Sequence, residues 1–173
     1  VLETIGTTVE PQDPIAVIEV PEVQPLRAER VVVLVEIADP GNLGTLIRSA
    51  AALGWQVALI GGADPWNPKV LRSGAGAHFA QVPVRVSDLS EIAALGFTTV
   101  ATIIAGGLPP DEIGSGSSLA LLIGNEAHGL PAEMVYACDL TMTIPMTGKT
   151  ESLNAAVSGA IAMYAVAPEP GST

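Results

Sequence analysis

Polar side chains that could bind or orient a small ligand gather in three short stretches of the chain. These are residues 39–48, 123–131 and 144–154, and the side chains concerned are Asn42, Arg48, Asn125, Glu126, Ser152 and Asn154. Each stretch also contains glycine, which allows a ligand to approach the backbone closely. These side chains supply amides, a hydroxyl, a carboxylate and a guanidinium, and the start of a helix adds free backbone N–H groups. Together they predict a binding site for a small molecule.

Arg48 and Glu126 each admit two interpretations. Arg48 would share one helix face with Gly44 among apolar neighbours, so its guanidinium needs an anion or must extend into water. Glu126 would be either the partner of Arg48 or a carboxylate near a helix N-terminus, where the dipole stabilises it by about 0.3–1 kcal/mol. Spacing alone leaves both alternatives open.

The sequence around Ser152 and His128 does not indicate the active site of a hydrolase. Ser152 would bind a ligand or act as the N-cap of the helix that follows. No His–Asp pair in a suitable local motif accompanies it, which is unlike a hydrolase triad. His128 is a single loop histidine, a pattern typical of an exposed side chain. The chain has neither a GxGxxG after its first predicted strand nor a GxxxxGK[ST], so the common nucleotide-binding loops are excluded.

Predicted strands and helices alternate along the chain, and these residues lie at the junctions between them. Apolar, β-branched runs predict strands at 31–37, 55–60, 82–86, 98–104, 119–123 and from residue 140. Helical spacing predicts helices at 43–53, from 67 until the glycines at 74 and 76, and at 88–95, 132–137 and 152–167. This order predicts an α/β fold, a mostly parallel six-stranded sheet with helices on both faces. All three polar stretches then fall at carboxyl ends of strands, where such sheets bind ligands.

Composition limits the class of protein. The 173 residues suit one domain; 49% are apolar, and 18 glycines and 14 prolines imply many tight turns. The single Cys138 excludes an internal disulfide and a cysteine-based zinc site, so a cytoplasmic location is expected and no metal site is predicted. No apolar run reaches the ~20 residues that a membrane span needs.

The net charge of −11 argues against a broad nucleic-acid-binding face. An acidic surface also has a simpler explanation, because it keeps a protein soluble. Three of the seven basic residues nevertheless lie in or beside glycine-containing polar segments: Arg48, Arg72 and Lys149.

The chain divides into three predicted parts. Residues 1–30 are acidic and proline-rich, and are expected to be a linker, an edge strand or the remnant of an upstream domain. Residues 31–167 form the predicted domain, and residues 168–173 a disordered tail. Since the chain begins with Val1, it is expected to be a piece of a longer protein.

The three polar stretches resemble a known family. The segments Asn42-Leu-Gly-Thr-Leu-Ile-Arg48, Ile123-Gly-Asn-Glu126-Ala-His-Gly-Leu-Pro131 and Ile144-Pro-Met-x-Gly-x-x-x-Ser152-Leu-Asn154 resemble motifs 1, 2 and 3 of the SpoU (TrmH-type) RNA methyltransferases. That family belongs to the SPOUT superfamily. The motifs follow in the family order across roughly residues 31–167, and residues 72–77 are similar to the small-residue segment between motifs 1 and 2.

The resemblance implies a C-terminal deep trefoil knot, a homodimer, and S-adenosylmethionine as cofactor. It also implies methyl transfer to a ribose 2′-hydroxyl of rRNA or tRNA, with no DNA or membrane partner. By position, the residues expected around the cofactor are Thr102, Ile103, Ala105, Gly106, Ile123, Gly124, Asn125, Glu126, Ile144, Met146, Ser152 and Leu153.

The same resemblance implies Arg48 as the catalytic arginine, with Asn42, Glu126, Ser152 and Asn154 holding it and the RNA backbone. A guanidinium scarcely deprotonates in a protein, so we interpret Arg48 as an orienting cation rather than a base. The family usually carries an N-terminal RNA-binding module, which residues 1–30 are too short and acidic to form. Two alternatives stay open: a SPOUT-fold module that binds RNA or cofactor without efficient catalysis, and a plain doubly wound domain.

Overall fold

A computed structural model describes residues 17–27, 29–114, 118–148 and 152–166. Strands and helices alternate along it in the order β1 (Arg30–Val35), α1 (Pro40–Ala52), β2 (Gln56–Ile60), α2 (Pro68–Gly74), α3 (Ala77–Ala80), β3 (Val84–Arg85), α4 (Leu89–Ala94), β4 (Thr98–Thr102), a 3-10 turn (Pro110–Glu112), β5 (Leu119–Ile123), α5 (Ala132–Ala137), β6 (Leu140–Met142) and α6 (Ala155–Ala165).

The strands form one six-stranded sheet in the order β3-β2-β1-β5-β4-β6, and every strand pair is parallel. The predicted α/β class and strand count are therefore confirmed. The central strand β1 is buried along its whole length because helices cover the sheet on both sides.

Alternate side chains of β1 enter two separate cores. Val32 and Leu34 pack in the core beneath α1, α2 and α6, together with Leu46 and Met163. Val31 and Val33 pack in the opposite core with Ile92 of α4. On the first face α1 contacts α2 on one side and α6 on the other, so α1 is the middle helix of that layer.

The last strand is enclosed by the chain segment that follows β4. Ile103 N donates to Met142 O (2.8 Å), and Leu108 N donates to Thr141 O (2.9 Å). Thr143 N in turn donates to Leu108 O (2.9 Å), while the Thr143 hydroxyl donates to Ile103 O (3.1 Å). Residues 103–108 thus run around the carboxyl end of β6 before the chain returns to the sheet as β5.

Several element boundaries differ from the sequence prediction. The third strand has two paired residues rather than five, and β6 ends at Met142, after which Thr143 N donates to Leu108 O of the enclosing loop. The last helix begins at Ala155 rather than residue 152. Its N-cap is Asn154, whose Oδ1 accepts from Ala156 N (2.9 Å) and Val157 N (3.2 Å), so the interpretation of Ser152 as the N-cap is wrong.

The N-terminal region is only partly described. Residues 17–27 form neither a helix nor a strand of the sheet, and Arg27 N donates to the Gln56 side chain (2.7 Å). Arg30 belongs to β1, where it is buried; its guanidinium donates to Val166 O at the end of α6 and lies 5.6 Å from the centre of the Trp55 ring. Residues 1–16 and the predicted tail lie outside the described residues, and the domain boundaries stay predictions. Every helix within the described ranges is too short or too polar to cross a membrane.

Candidate active site

A pocket of about 520 Å³ opens at the carboxyl ends of β4, β5 and β6. A volume of roughly 300–1,000 Å³ is typical of sites for small molecules and cofactors. Its walls come from the three loops that follow these strands and from the start of α6. The pocket therefore lies at the edge of the sheet where the sequence predicts a ligand site.

Eleven of the residues expected around a cofactor line this pocket: Thr102, Ile103, Ala105, Ile123, Gly124, Asn125, Glu126, Ile144, Met146, Ser152 and Leu153. The remaining one, Gly106, is not a lining residue. Its φ of 85° shapes the loop around β6, a position that favours glycine.

Several lining residues were not predicted from the sequence. They are Ile104, Ala127, His128, Gly129, Leu130, Val135, Met142, Ala155 and Ser158. Ile104 and the turn at 127–130 are next to predicted residues in the sequence, so they could have been predicted from that position. Val135 and Ser158 come from helices α5 and α6, and no local pattern distinguishes them from ordinary helix residues.

The pocket needs glycine at position 124. A Cβ there would overlap Leu130 N and lie 2.6 Å from Gly129 O, because the loop folds back on itself. Asn125 closes that turn: Asn125 N donates to Gly129 O (3.1 Å), and its Oδ1 accepts from Ala127 N (2.9 Å) and His128 N (3.2 Å). The Asn125 amide also donates to Glu36 O (2.7 Å), which ties the loop to the end of β1.

A hydrogen-bonded relay joins the three polar stretches. Asn154 Nδ2 donates to Asn42 Oδ1 (3.0 Å), and Asn42 Nδ2 donates to Glu126 Oε1 (3.0 Å). The Glu126 carboxylate also accepts from Asp39 N (3.2 Å) and Ala38 N (3.3 Å). One amide thus connects the pocket loop, the first turn of α1 and the N-cap of α6.

The relay holds Glu126 in its ionised form. Partial burial raises the pKa of the Glu126 carboxyl, but hydrogen bonds from Asn42 and from backbone N–H groups outweigh burial, so this pKa lies below its ordinary value. Glu126 therefore acts at the start of α1 as a carboxylate supplied by another loop, where the helix dipole favours negative charge. Its partner is Asn42 and not Arg48.

Arg48 lies apart from this relay. It lies six positions after Asn42, about 9 Å along the helix axis. It is exposed, does not line the pocket, and makes no hydrogen bond or ion pair within the part of the chain that the structure describes. The structure thus brings together four of the five predicted catalytic residues, with Ser152 on the pocket wall, and leaves the fifth pointing into solvent.

No group of three or more His, Cys, Asp or Glu residues that could hold a metal ion occurs in the described ranges. The pocket lining offers the Asn125 amide, hydroxyls, the Glu126 carboxylate, the His128 imidazole and backbone groups, with apolar side chains beside them.

Comparisons with known proteins agree on one family. Residues 29–164 match the model of the SpoU rRNA methylase family. The chain is 40% identical over 165 residues to the Bacillus subtilis protein named 23S rRNA (guanosine(2553)-2′-O)-methyltransferase RlmP, covering 92% of this chain and 66% of that protein. It is 34% identical over 170 residues to the 23S rRNA (uridine(2479)-2′-O)-methyltransferase of Streptomyces viridochromogenes, covering 89% of this chain and 59% of that protein.

A solved structure matches as well. The crystal structure of the SpoU methyltransferase AviRb from Streptomyces viridochromogenes, in complex with the cofactor AdoMet, superposes with a TM-score of 0.76 at 33% identity, covering 83% of this chain and 61% of that one. The chain accordingly spans about three fifths to two thirds of the length of these relatives.

Proposed function

The chain belongs to the SpoU rRNA methylase family, and from that membership and the pocket geometry we propose that it methylates a ribose 2′-hydroxyl of RNA with S-adenosylmethionine. The observation that carries the proposal is the convergence of three loops on one pocket, with Asn42, Glu126 and Asn154 linked behind it. The names of the two relatives favour ribosomal RNA as the substrate class.

The residues present fit the cofactor. Ile123, Ile144, Met146 and Leu153 offer an apolar wall for an adenine ring, and the close fold at Gly124 leaves backbone N–H and C=O groups for its polar edge. S-adenosylmethionine, when bound, supplies a methyl group on a sulfonium, which reacts with little help beyond positioning. These residues would hold it, and the loop around β6 would keep water out.

Arg48 is proposed to act on the RNA rather than on the cofactor. Its exposed guanidinium is a fixed cation that can hold the phosphate next to the reacting ribose and relieve negative charge on the 2′-oxygen. The Glu126 relay would set the position of α1, and with it that of Arg48. Asn42, Glu126 and Asn154 are positioning residues in this proposal, while Ser152 faces the pocket directly.

We also propose the trefoil knot and the homodimer. The hydrogen bonds from residues 103–108 around the end of β6 support a chain threaded through that loop, an arrangement rare among proteins. An apolar stripe supports the dimer: Val157, Ile161 and Tyr164 of α6 are 49%, 41% and 74% exposed at i, i+4, i+7 spacing. RNA, not DNA, is the proposed nucleic acid, and the cytoplasm the proposed location.

Calorimetric titration with S-adenosylhomocysteine, the reaction product, tests the pocket. We expect saturable binding near one site per chain. Transfer of labelled methyl groups to protein-free ribosomal RNA tests the reaction, and resistance of the product to alkaline cleavage identifies the 2′-oxygen as the acceptor. Labelled RNA that remained alkali-sensitive at the modified position would contradict ribose methylation.

Arg48 variants test the proposed cation. Arg48→Ala should lower kcat by about 10²–10³, the usual effect of removing one group that stabilises transition-state charge. It should leave S-adenosylhomocysteine affinity unchanged because Arg48 does not line the pocket. Arg48→Lys keeps the charge but loses the planar fork, and is expected to recover only part of the rate. Normal turnover by Arg48→Ala would exclude the role.

One observation favours a second candidate, a module that binds cofactor or RNA without efficient catalysis. The net charge of −11 is unusual for an enzyme that must hold RNA. Saturable product binding with no methyl transfer to any RNA would favour this alternative.

A further inference from the structure

The charges of this chain are segregated by helix layer. On the face that α1, α2 and α3 cover, the helices contain Arg48, Lys69 and Arg72 and no Asp or Glu. On the opposite face, α4 contains Glu91 and α5 contains Glu133. The helices α1, α2 and α3 themselves thus contain basic but no acidic side chains, although the net charge of the chain is −11.

The three cations lie on neighbouring helices. Lys69 and Arg72 are both exposed and stand one turn apart on α2, at the i, i+3 spacing that makes them neighbours. Gly44 of α1 packs directly on α2, because a Cβ there would collide with Ser73 Oγ and lie 2.8 Å from Gly74 N. Arg48, also exposed, follows Gly44 by one turn on the same helix face, so it lies on the side of α1 that faces α2.

The acidic residues nearest along the chain are engaged with backbone donors. Asp39 accepts from Asn42 N (2.8 Å), Asp64 from Trp66 N (3.0 Å) and Glu36 from Gly62 N (3.1 Å). Asp111 and Glu112 lie in the 3-10 turn that packs on α6, across α1 from α2. The two helices beside α2, α1 and α3, contain no Asp or Glu of their own.

Two aromatic side chains flank the same helix. Phe79 of α3 is 51% exposed, and its ring centre lies 6.2 Å from that of Trp66, which precedes α2. Exposed aromatic rings next to cations are the combination with which proteins bind single-stranded RNA, by stacking on bases while the cations contact phosphates.

We propose that the outer surface of α2, with Lys69, Arg72 and the adjacent Phe79, binds a single-stranded segment of the RNA substrate and leads it toward Arg48. The inference rests on the proposed function and extends it, because it assigns the RNA path on a chain whose overall charge opposes RNA binding. The phosphates would follow the α1–α2 side of the molecule and avoid the acidic side of α4 and α5.

The test measures binding of a fluorescent single-stranded RNA of mixed sequence by anisotropy over a range of salt concentrations. Each phosphate contact contributes about 0.7 to the slope of log affinity against log salt for single strands. The double variant Lys69→Gln/Arg72→Gln should therefore lower that slope by about 1.4. Phe79→Ala should weaken binding about fivefold or more without changing the slope, because stacking releases no counterions.

Arg27→Gln is the matched control. Arg27 is also exposed, and its substitution removes one positive charge, as each of the two substitutions in α2 does, but it lies beside Gln56 at the amino end of β2, away from the pocket edge. The slope of log affinity against log salt should be the same for Arg27→Gln as for the unaltered chain. The double variant should keep its S-adenosylhomocysteine affinity and raise KM for RNA rather than lower kcat.

The outcomes separate the two proposals. An unchanged salt slope in the double variant, or an equal fall in Arg27→Gln, would overturn the α2 surface whether or not methyl transfer occurs. A slope that depends on Lys69 and Arg72, in a chain that binds no S-adenosylhomocysteine, would support the surface and contradict the proposed enzyme.

Discussion

The Asn42 amide decides how the residues of the site act together. Its Oδ1 accepts from Asn154 and its Nδ2 donates to Glu126, so one side chain bridges a helix N-cap and a pocket loop. Neither contact involves the reacting atoms proposed above. The effect of Asn42 on the reaction would therefore pass through the position of α1 and of the Glu126 carboxylate.

Asn42→Asp keeps the shape of this side chain but replaces the donor to Glu126 with a carboxylate oxygen. We expect the unfolding free energy to fall by about 1 kcal/mol near neutral pH, since a hydrogen bond is exchanged for repulsion at a partly exposed site. S-adenosylhomocysteine affinity should fall with it. Urea unfolding and calorimetry measure the two effects.

Thr45→Ala, one turn along the exposed side of α1, is the control and should leave both quantities nearly unchanged. Full stability and full affinity in Asn42→Asp would show that the relay has no positioning role.

At the scale of elements, the close contact between α1 and α2 depends on the absence of a side chain at position 44. Gly44 is buried against Val70, Ser73 and Gly74, and the Ser73 hydroxyl donates to Pro40 O (3.1 Å). Helix propensity alone would favour alanine here by about 1 kcal/mol. The packing opposes that preference, because the neighbouring atoms include α2 backbone that cannot rotate away.

Gly44→Ala should therefore destabilise the protein despite its better helix propensity. Overpacking of this kind costs about 1–3 kcal/mol, and the shift of α2 should also weaken RNA binding. Urea unfolding measures the first effect and RNA anisotropy the second. A more stable Gly44→Ala chain would mean that the two helices separate without cost.

At the scale of the whole molecule, His78 is a titratable group whose burial couples stability to pH. It is fully buried, the Trp66 ring centre lies 5.6 Å away, and neither ring nitrogen has a hydrogen-bond partner among the residues that the structure describes. Burial lowers the pKa of His78 below 6.5, and the nearby Pro65 carbonyl opposes this shift only in part.

Since the pKa of His78 is lower in the folded than in the unfolded chain, the unfolded chain binds more protons as the pH falls through 6.5. The unfolding free energy should then decrease with falling pH, by at most about 1.4 kcal/mol per unit, until the folded pKa is reached. Urea unfolding at a series of pH values measures the slope. His78→Met, which cannot titrate, should lose this contribution, and an unchanged slope would exclude His78 as its source.

The pattern of apolar and polar residues is sufficient to predict the α/β class, the succession of strands along the chain and most of the pocket. Unbroken apolar runs such as 31–35 and 119–123 specify buried parallel strands, and such strands bring their carboxyl ends to one edge. The position of Asn125 in the pocket, two residues after β5, was therefore predictable without any knowledge of packing.

Tertiary structure decided what spacing cannot encode. Glu126 binds Asn42 and the first N–H groups of α1 instead of Arg48, because these segments meet only when the sheet forms. Arg30, which falls at the end of the predicted linker, is buried at the end of α6. Residues 103–108 run around β6, and basic and acidic helices lie on opposite faces of the sheet. Both features result from packing across the sheet, so the local periodicity of the sequence does not predict them.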